Sequence, residues 1–69
     1  MVIYRLEVYG CGQAVPYVYD FATRGIALGQ FRQSCNILNR VVQLIAIDGK
    51  RARIMERWAW GMPTPDLEA

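Results

Sequence analysis

Apolar and polar residues alternate from Val2 to Tyr9. Val2, Tyr4, Leu6 and Val8 fall on one side of an extended chain, and Ile3, Arg5, Glu7 and Tyr9 on the other. Gly10-Cys11-Gly12 marks a turn or the start of a loop. Val15–Phe21 then resumes the period of two, with Val15, Tyr17, Tyr19 and Phe21 sharing a face. Pro16 suits an edge strand, because proline has no N–H to give to a ladder. A connection of about five residues makes an antiparallel hairpin the simplest pairing.

The period then changes. Leu28, Phe31, Cys35 and Leu38 recur in steps of three, four and three, the stripe of an amphipathic helix, and Ala27 widens it. Thr23 is placed to cap its start, and Asn36 or Asn39 to close it in a left-handed conformation. The opposite side gathers Gly25, Gly29, Arg32, Gln33 and Asn36. Two glycines one turn apart cost helix stability, about 1 kcal/mol each against alanine. They equally thin that face for another backbone, so Gly25, Gly29, Arg32 and Gln33 form a candidate contact face.

Val41–Ile47 is the clearest strand, and Asp48-Gly49 is a strong hairpin signal that returns the chain through Arg51–Trp60. With a two-residue turn, Val41, Gln43, Ile45 and Ile47 share a face with Ala52, Ile54, Glu56, Trp58 and Trp60. Val42, Leu44 and Ala46 then share the other with Arg51, Arg53, Met55 and Arg57. A bulge would break this division. The expected fold is α+β: an antiparallel ββαββ sheet with one helix packed on one face. Residues 1–61 form the domain, and MPTPDLEA (62–69), with two prolines and two acids, reads as a flexible C-terminal tail.

Composition narrows the chemistry. The chain has 69 residues, 54% hydrophobic and without histidine, so the commonest general base and metal ligand are both missing. Cys11 and Cys35 stand 24 apart with no CxxC pair, which favours two free thiols over a disulfide framework and suggests no metal set. Glu7, Asp20, Asp48 and Glu56 are scattered, and no phosphate-cradling glycine spacing exists. Glu56, on the face assigned to Trp58, is expected to pair with Arg40 or Arg5. No enzyme activity, cofactor or metal is expected. Arg5 and Glu7 interrupt the N-terminal apolar run, so neither a signal peptide nor a membrane partner is implied, and the expected location is cytoplasmic.

Charge points to a partner. Net charge is +2, but Asp66 and Glu68 lie in the last four positions, leaving eight bases against four acids, or +4, over residues 1–63. Seven of the eight bases are arginine, the cation favoured at interfaces and phosphates. Lys50, Arg51, Arg53 and Arg57 are the candidate binding residues, on a mixed apolar and basic sheet face left open if the helix covers the other side. Tyr17, Tyr19 and Trp60 are the aromatics expected to be presented beside them, while Phe21, Phe31 and Trp58 are assigned to the core.

The hairpin–helix–hairpin order, the junction DFATRGIALGQF and the closing hairpin IAIDGKRARIMERW resemble the small accessory proteins encoded by bacteriophages, including anti-CRISPR-type inhibitors. The resemblance is one of architecture over residues 1–60. It implies a non-enzymatic binder that occludes a functional surface on a host protein or nucleoprotein complex. The alternative is a small nucleic-acid-binding protein whose basic strand tracks phosphates. A homodimer is expected under either reading, because the apolar content exceeds what one helix on one sheet can hide.

Overall fold

The computed structural model describes residues 1–36 and 38–64. Five elements follow in order: β1 (Val2–Gly10), β2 (Tyr17–Phe21), α1 (Arg24–Ser34), β3 (Asn39–Asp48) and β4 (Arg51–Ala59). The strands form one antiparallel sheet in the order β2-β1-β3-β4. The fold is therefore α+β with the expected ββαββ order.

Strand alternation decides which face is core. Leu6 opposes Leu44 and Val8 opposes Val42 in the β1–β3 ladder, and all four are buried. Across from them α1 contributes Ala27 and Phe31, and Cys35 follows at its C-cap, along the stripe anticipated from the helical period. Full burial of Phe31 alone removes enough apolar surface to contribute about 1.5–3 kcal/mol. The helix lies over β1 and β3 and reaches β2, but does not approach β4. Trp58 on β4 carries the core past the helix edge; it is 4% exposed, and Met55 packs against the same cluster.

The helix ends earlier than its apolar stripe. Leu38 lies beyond α1 and is 77% exposed. Asn36 and Asn39 do close the helix, but by side chain rather than by a left-handed backbone. Asn36 Nδ2 donates to the Gln33 carbonyl at 3.0 Å, and Asn39 Nδ2 to the Ser34 carbonyl at 2.6 Å. Neither has a positive φ. These amides satisfy carbonyls that a helix terminus leaves without intrahelical partners.

A bulge in β4 corrects the expected division of faces. From Asp48↔Arg51 to Ile45↔Ile54 the β3–β4 register is regular, but Leu44 pairs with Glu56, so Met55 is an extra residue. Beyond it the parity of the strand is reversed. Arg51 and Arg53 remain on the helix side with Asp48 and Ala46, whereas Arg57 moves to the opposite face beside Gln43. Trp58 moves the other way and enters the core opposite Val42. The three arginines therefore form no common ladder, and Val42 and Leu44 are covered by α1 instead of flooring an open surface.

Smaller features complete the frame. The β3–β4 turn is Gly49-Lys50, with φ +59° at Gly49 and no positive φ at Lys50, the sign pattern of the hairpin turns that put glycine first. At the end of β4 the Trp58 indole donates to the Met62 carbonyl at 3.0 Å, which ties down the first residue of the expected tail. Residues 65–69 of that tail lie outside the described residues. Among the described residues no helix is long and apolar enough to cross a membrane.

Candidate functional site

A groove of about 840 Å³ lies between the start of α1 and the tip of the β3–β4 hairpin. Arg24, Lys50, Arg51 and Arg53 line it, with Val2, Tyr4, Ala46 and Met55 supplying apolar surface and Asp48 the one acid of the lining. Each residue arrives by a separate local rule. Arg24 is the first residue of α1, set there by Thr23, whose backbone is extended and whose carbonyl accepts the Ala27 N–H. Lys50 is in the turn. Arg51 and Arg53 are in the regular part of β4, where the period of two puts both on the helix side, beyond the edge of the helix itself.

The electrostatics favour an anion. No acid stands in the first turn of α1, and Thr23 makes no side-chain cap hydrogen bond. The positive end of the helix dipole thus adds to the cations instead of being offset. Among the described residues the ion pairs are Arg5–Asp20 and the amino terminus with Asp48; none involves the four groove cations. The groove is a localised positive site with an apolar floor.

Other expected site residues are placed elsewhere. Arg57 is on the open sheet face, where it lines a smaller hollow with Tyr9, Arg40, Val41 and Gln43. Arg40 Nη2 donates to the Gln13 carbonyl at 3.2 Å, and its guanidinium lies 6.0 Å from the centre of the Tyr9 ring, a cation–π arrangement. Arg5 Nε donates to Asp20 Oδ1 at 2.9 Å and Nη2 to Oδ2 at 3.2 Å. Both arginines offered as partners for Glu56 are thus engaged with other groups. The Arg5 guanidinium also holds the Asp20 carboxyl below its ordinary pKa.

Tyr17 and Tyr19 are exposed on β2 and line a second groove with Phe21 and the flank of α1, remote from the hairpin tip. Trp60 is exposed beyond the other end of β4. The aromatics therefore do not surround the basic groove. On α1, Gly25, Arg32 and Gln33 are exposed and Gly29 is half-buried. A Cβ at Gly25 or Gly29 would meet nothing within 4 Å, so no contact within the chain calls for glycine there.

Cys11 is exposed and Cys35 buried, both free. Cys35 Sγ donates to the Phe31 carbonyl at 3.1 Å, and burial pushes its thiol pKa up to about 11, the opposite of an activated nucleophile. Among the described residues no acid or cysteine cluster is arranged to hold a metal ion.

Of the candidates from the sequence, Lys50, Arg51 and Arg53 line this groove with Met55, which was placed on their face, while Arg24 and Tyr4 were not anticipated. Arg24 carried a signal, since it directly follows the capping threonine. What was not visible is that the start of the helix lies beside the hairpin tip. No protein-family model, curated protein or solved structure matches the chain.

Proposed function

We propose that this chain is a non-enzymatic binding module that docks an acidic segment of a partner protein in the groove formed by Arg24, Lys50, Arg51 and Arg53. The observation that carries this reading is their convergence, from a helix start, a turn and a strand, on the apolar surface of Val2, Tyr4, Ala46 and Met55. A carboxylate-rich segment meets the rim, and an apolar side chain among its acids meets the floor. Arginine suits the rim because its planar fork binds carboxylates in pairs of hydrogen bonds. Binding there covers a negatively charged surface on the partner. The mode of action is therefore that of an inhibitor or regulator by occlusion.

A phosphate backbone is the competing ligand, but a tracking interface needs cations in a continuous stripe. Here Arg40 and Arg57 belong to the opposite face and Arg32 to the outer side of the helix. The exposed tyrosines do not flank the groove, so stacking support for bases is also lacking.

The test is fluorescence anisotropy with a labelled peptide of Asp and Glu around one Leu, run beside a labelled oligothymidine. The acidic peptide binds, and Arg51→Glu with Arg53→Glu weakens it at least about tenfold while the circular dichroism spectrum is unchanged. Tighter binding of the oligothymidine, lost in the same variant, would move the function to nucleic acid.

A further inference from the structure

Beyond β4 the chain turns back on itself. The Met62 N–H donates to the Ala59 carbonyl at 3.0 Å, and Gly61 has φ +93°, a four-residue turn with glycine where a positive φ is required. The Met62 carbonyl accepts the indole N–H of Trp58, whose side chain is in the core, so Met62 is held on the helix side of the sheet. On that side β4 is open, since α1 lies over β1 and β3 and does not approach it. A chain that continues the reversal from Met62 runs along an uncovered strip that ends in the basic groove.

Length permits it. On the helix side β4 presents Trp58, Glu56, Arg53 and Arg51 in turn, level with Val42, Leu44, Ala46 and Asp48 of β3. Arg53 is thus about 13 Å along the strand from Trp58, and Arg51 about 20 Å. Proline at 63 and 65 favours extended backbone there and at the residue before each, which advances about 3.1 Å per residue. From Met62 such a chain reaches Asp66 in about 12 Å and Glu68 in about 19 Å. The length of an arginine side chain exceeds the difference.

Charge follows the same order. Residues 63–65 are uncharged and pass the half-buried Glu56; the acids begin only beyond it. Asp66 and Glu68 are two apart, as are Arg51 and Arg53, so in an extended chain both acids project to one side. Arg51 and Arg53 are exposed, with no ion pair among the described residues. Asp48, the acid of the groove, is 3.7 Å from the Met1 amino group. Asp66-Leu67-Glu68 lies beyond the described residues, and it has the composition argued above for the ligand: acids around one apolar side chain.

We propose that residues 65–68 fold back along β4 into the basic groove of their own molecule, Asp66 pairing with Arg53 and Glu68 with Arg51, and so compete with the acidic segment of a partner. This rests on the reading of the groove as a site for acidic segments. On so short a tether the tail is present at a roughly millimolar effective concentration. It holds off weakly acidic surfaces and yields to segments that carry more carboxylates.

The test compares the full chain with its variant Asp66→Asn, Glu68→Gln at low salt. Without peptide, their ¹H–¹⁵N correlation spectra are expected to differ at the amides of Arg24, Lys50, Arg51 and Arg53, and equally so after about a tenfold dilution. The variant is expected to bind the labelled acidic peptide at least about threefold more tightly, the gain from freeing grooves that the tail fills about two-thirds of the time. Unchanged groove amides, with equal peptide affinity in both proteins, would overturn the inference and leave the ligand class of the groove intact. Shifted groove amides in a protein whose variant binds no peptide would keep the tail in the groove and remove the acidic partner instead. Differences that fade on dilution would assign the groove to a second copy's tail and overturn the proposal.

Discussion

Arg53 and Arg57 lie four residues apart on β4 and project from opposite faces of the sheet. In a regular strand an even separation keeps two side chains together. Here the extra residue Met55 reverses the alternation between them. The same reversal brings Trp58, five residues after Arg53, onto Arg53's side and into the core. The bulge thus lets one strand fill a core at one end and present cations at the other. Charge reversal at Arg53 is therefore expected to weaken binding of an acidic peptide at least about tenfold, and charge reversal at Arg57 to leave it within about twofold. Parallel titrations of Arg53→Glu and Arg57→Glu measure the difference.

Deleting Met55 is expected to leave the faces as they are. Ile54, Glu56, Arg57 and Trp58 then follow one another as a regular strand opposite Ile45, Leu44, Gln43 and Val42, so Arg53 stays on the helix side and Trp58 in the core. The expected cost is the loss of Met55's half-buried packing against the core, about 1–2 kcal/mol. Urea unfolding of the Met55 deletion checks it. A loss of about 3–5 kcal/mol, that of a buried large aromatic, would show that Trp58 had left the core.

The outer face of α1 separates packing from recognition. With open space around a Cβ at Gly25 and Gly29, alanine at either position should stabilise the helix by up to about 1 kcal/mol and raise the melting temperature by several degrees. Gly29 does not line the groove, so Gly29→Ala is expected to fold better and bind the acidic peptide unchanged. Thermal melts and peptide titrations of the same variant read the two effects.

Cys35 makes stability sensitive to alkali. Its folded pKa is raised by burial to about 11, so its contribution is present in full below the ordinary thiol range and is lost as pH rises through the folded value. Unfolding midpoints are expected to fall from about pH 9 toward pH 11, and Cys35→Ala, though less stable at neutral pH, should lack that slope. A thiol reagent should modify Cys11 in the native protein and reach Cys35 only after unfolding. Rapid native labelling of both would contradict the burial.

Asp20 acts at the other end of the scale. Its hydrogen-bonded pairing with Arg5 depresses its folded pKa, so the stabilisation is present above the ordinary carboxylate value and is lost as pH falls through the lower folded one. Both side chains are well exposed, and the effect is small and screened by salt. Asp20→Asn should flatten the acid limb of the stability profile below about pH 4 at low ionic strength, with no change in slope between about pH 5 and 7.

Much of the fold was legible because its signals are local. The alternation through Val2–Tyr9, the helical steps at Leu28, Phe31 and Cys35, and the glycine at 49 each act within a few residues and agree with one another. The end of the helix was less legible, since Leu38 continues the apolar stripe while Asn36 and Asn39 terminate it with side-chain hydrogen bonds that propensity does not reveal. The division of β4 between the two faces was misread for a similar reason. Met55 is an ordinary strand residue by type, and only competition between Trp58 for the core and Arg53 for water makes it an insertion. Lys50, Arg51 and Arg53 were visible as a cluster because they are neighbours in sequence. Arg24 joins them only through tertiary packing.

One groove, built from a helix start and a hairpin tip, is proposed to receive an acidic segment. A ¹H–¹⁵N correlation titration with the acidic peptide tests it most directly. Shifts are expected at the amides of Arg24, Lys50, Arg51, Arg53 and Met55, with those of Arg57, Tyr17 and Trp60 unmoved. Shifts centred on Arg57 and Tyr9, or on Tyr17 and Tyr19, would place the binding surface elsewhere and contradict the account.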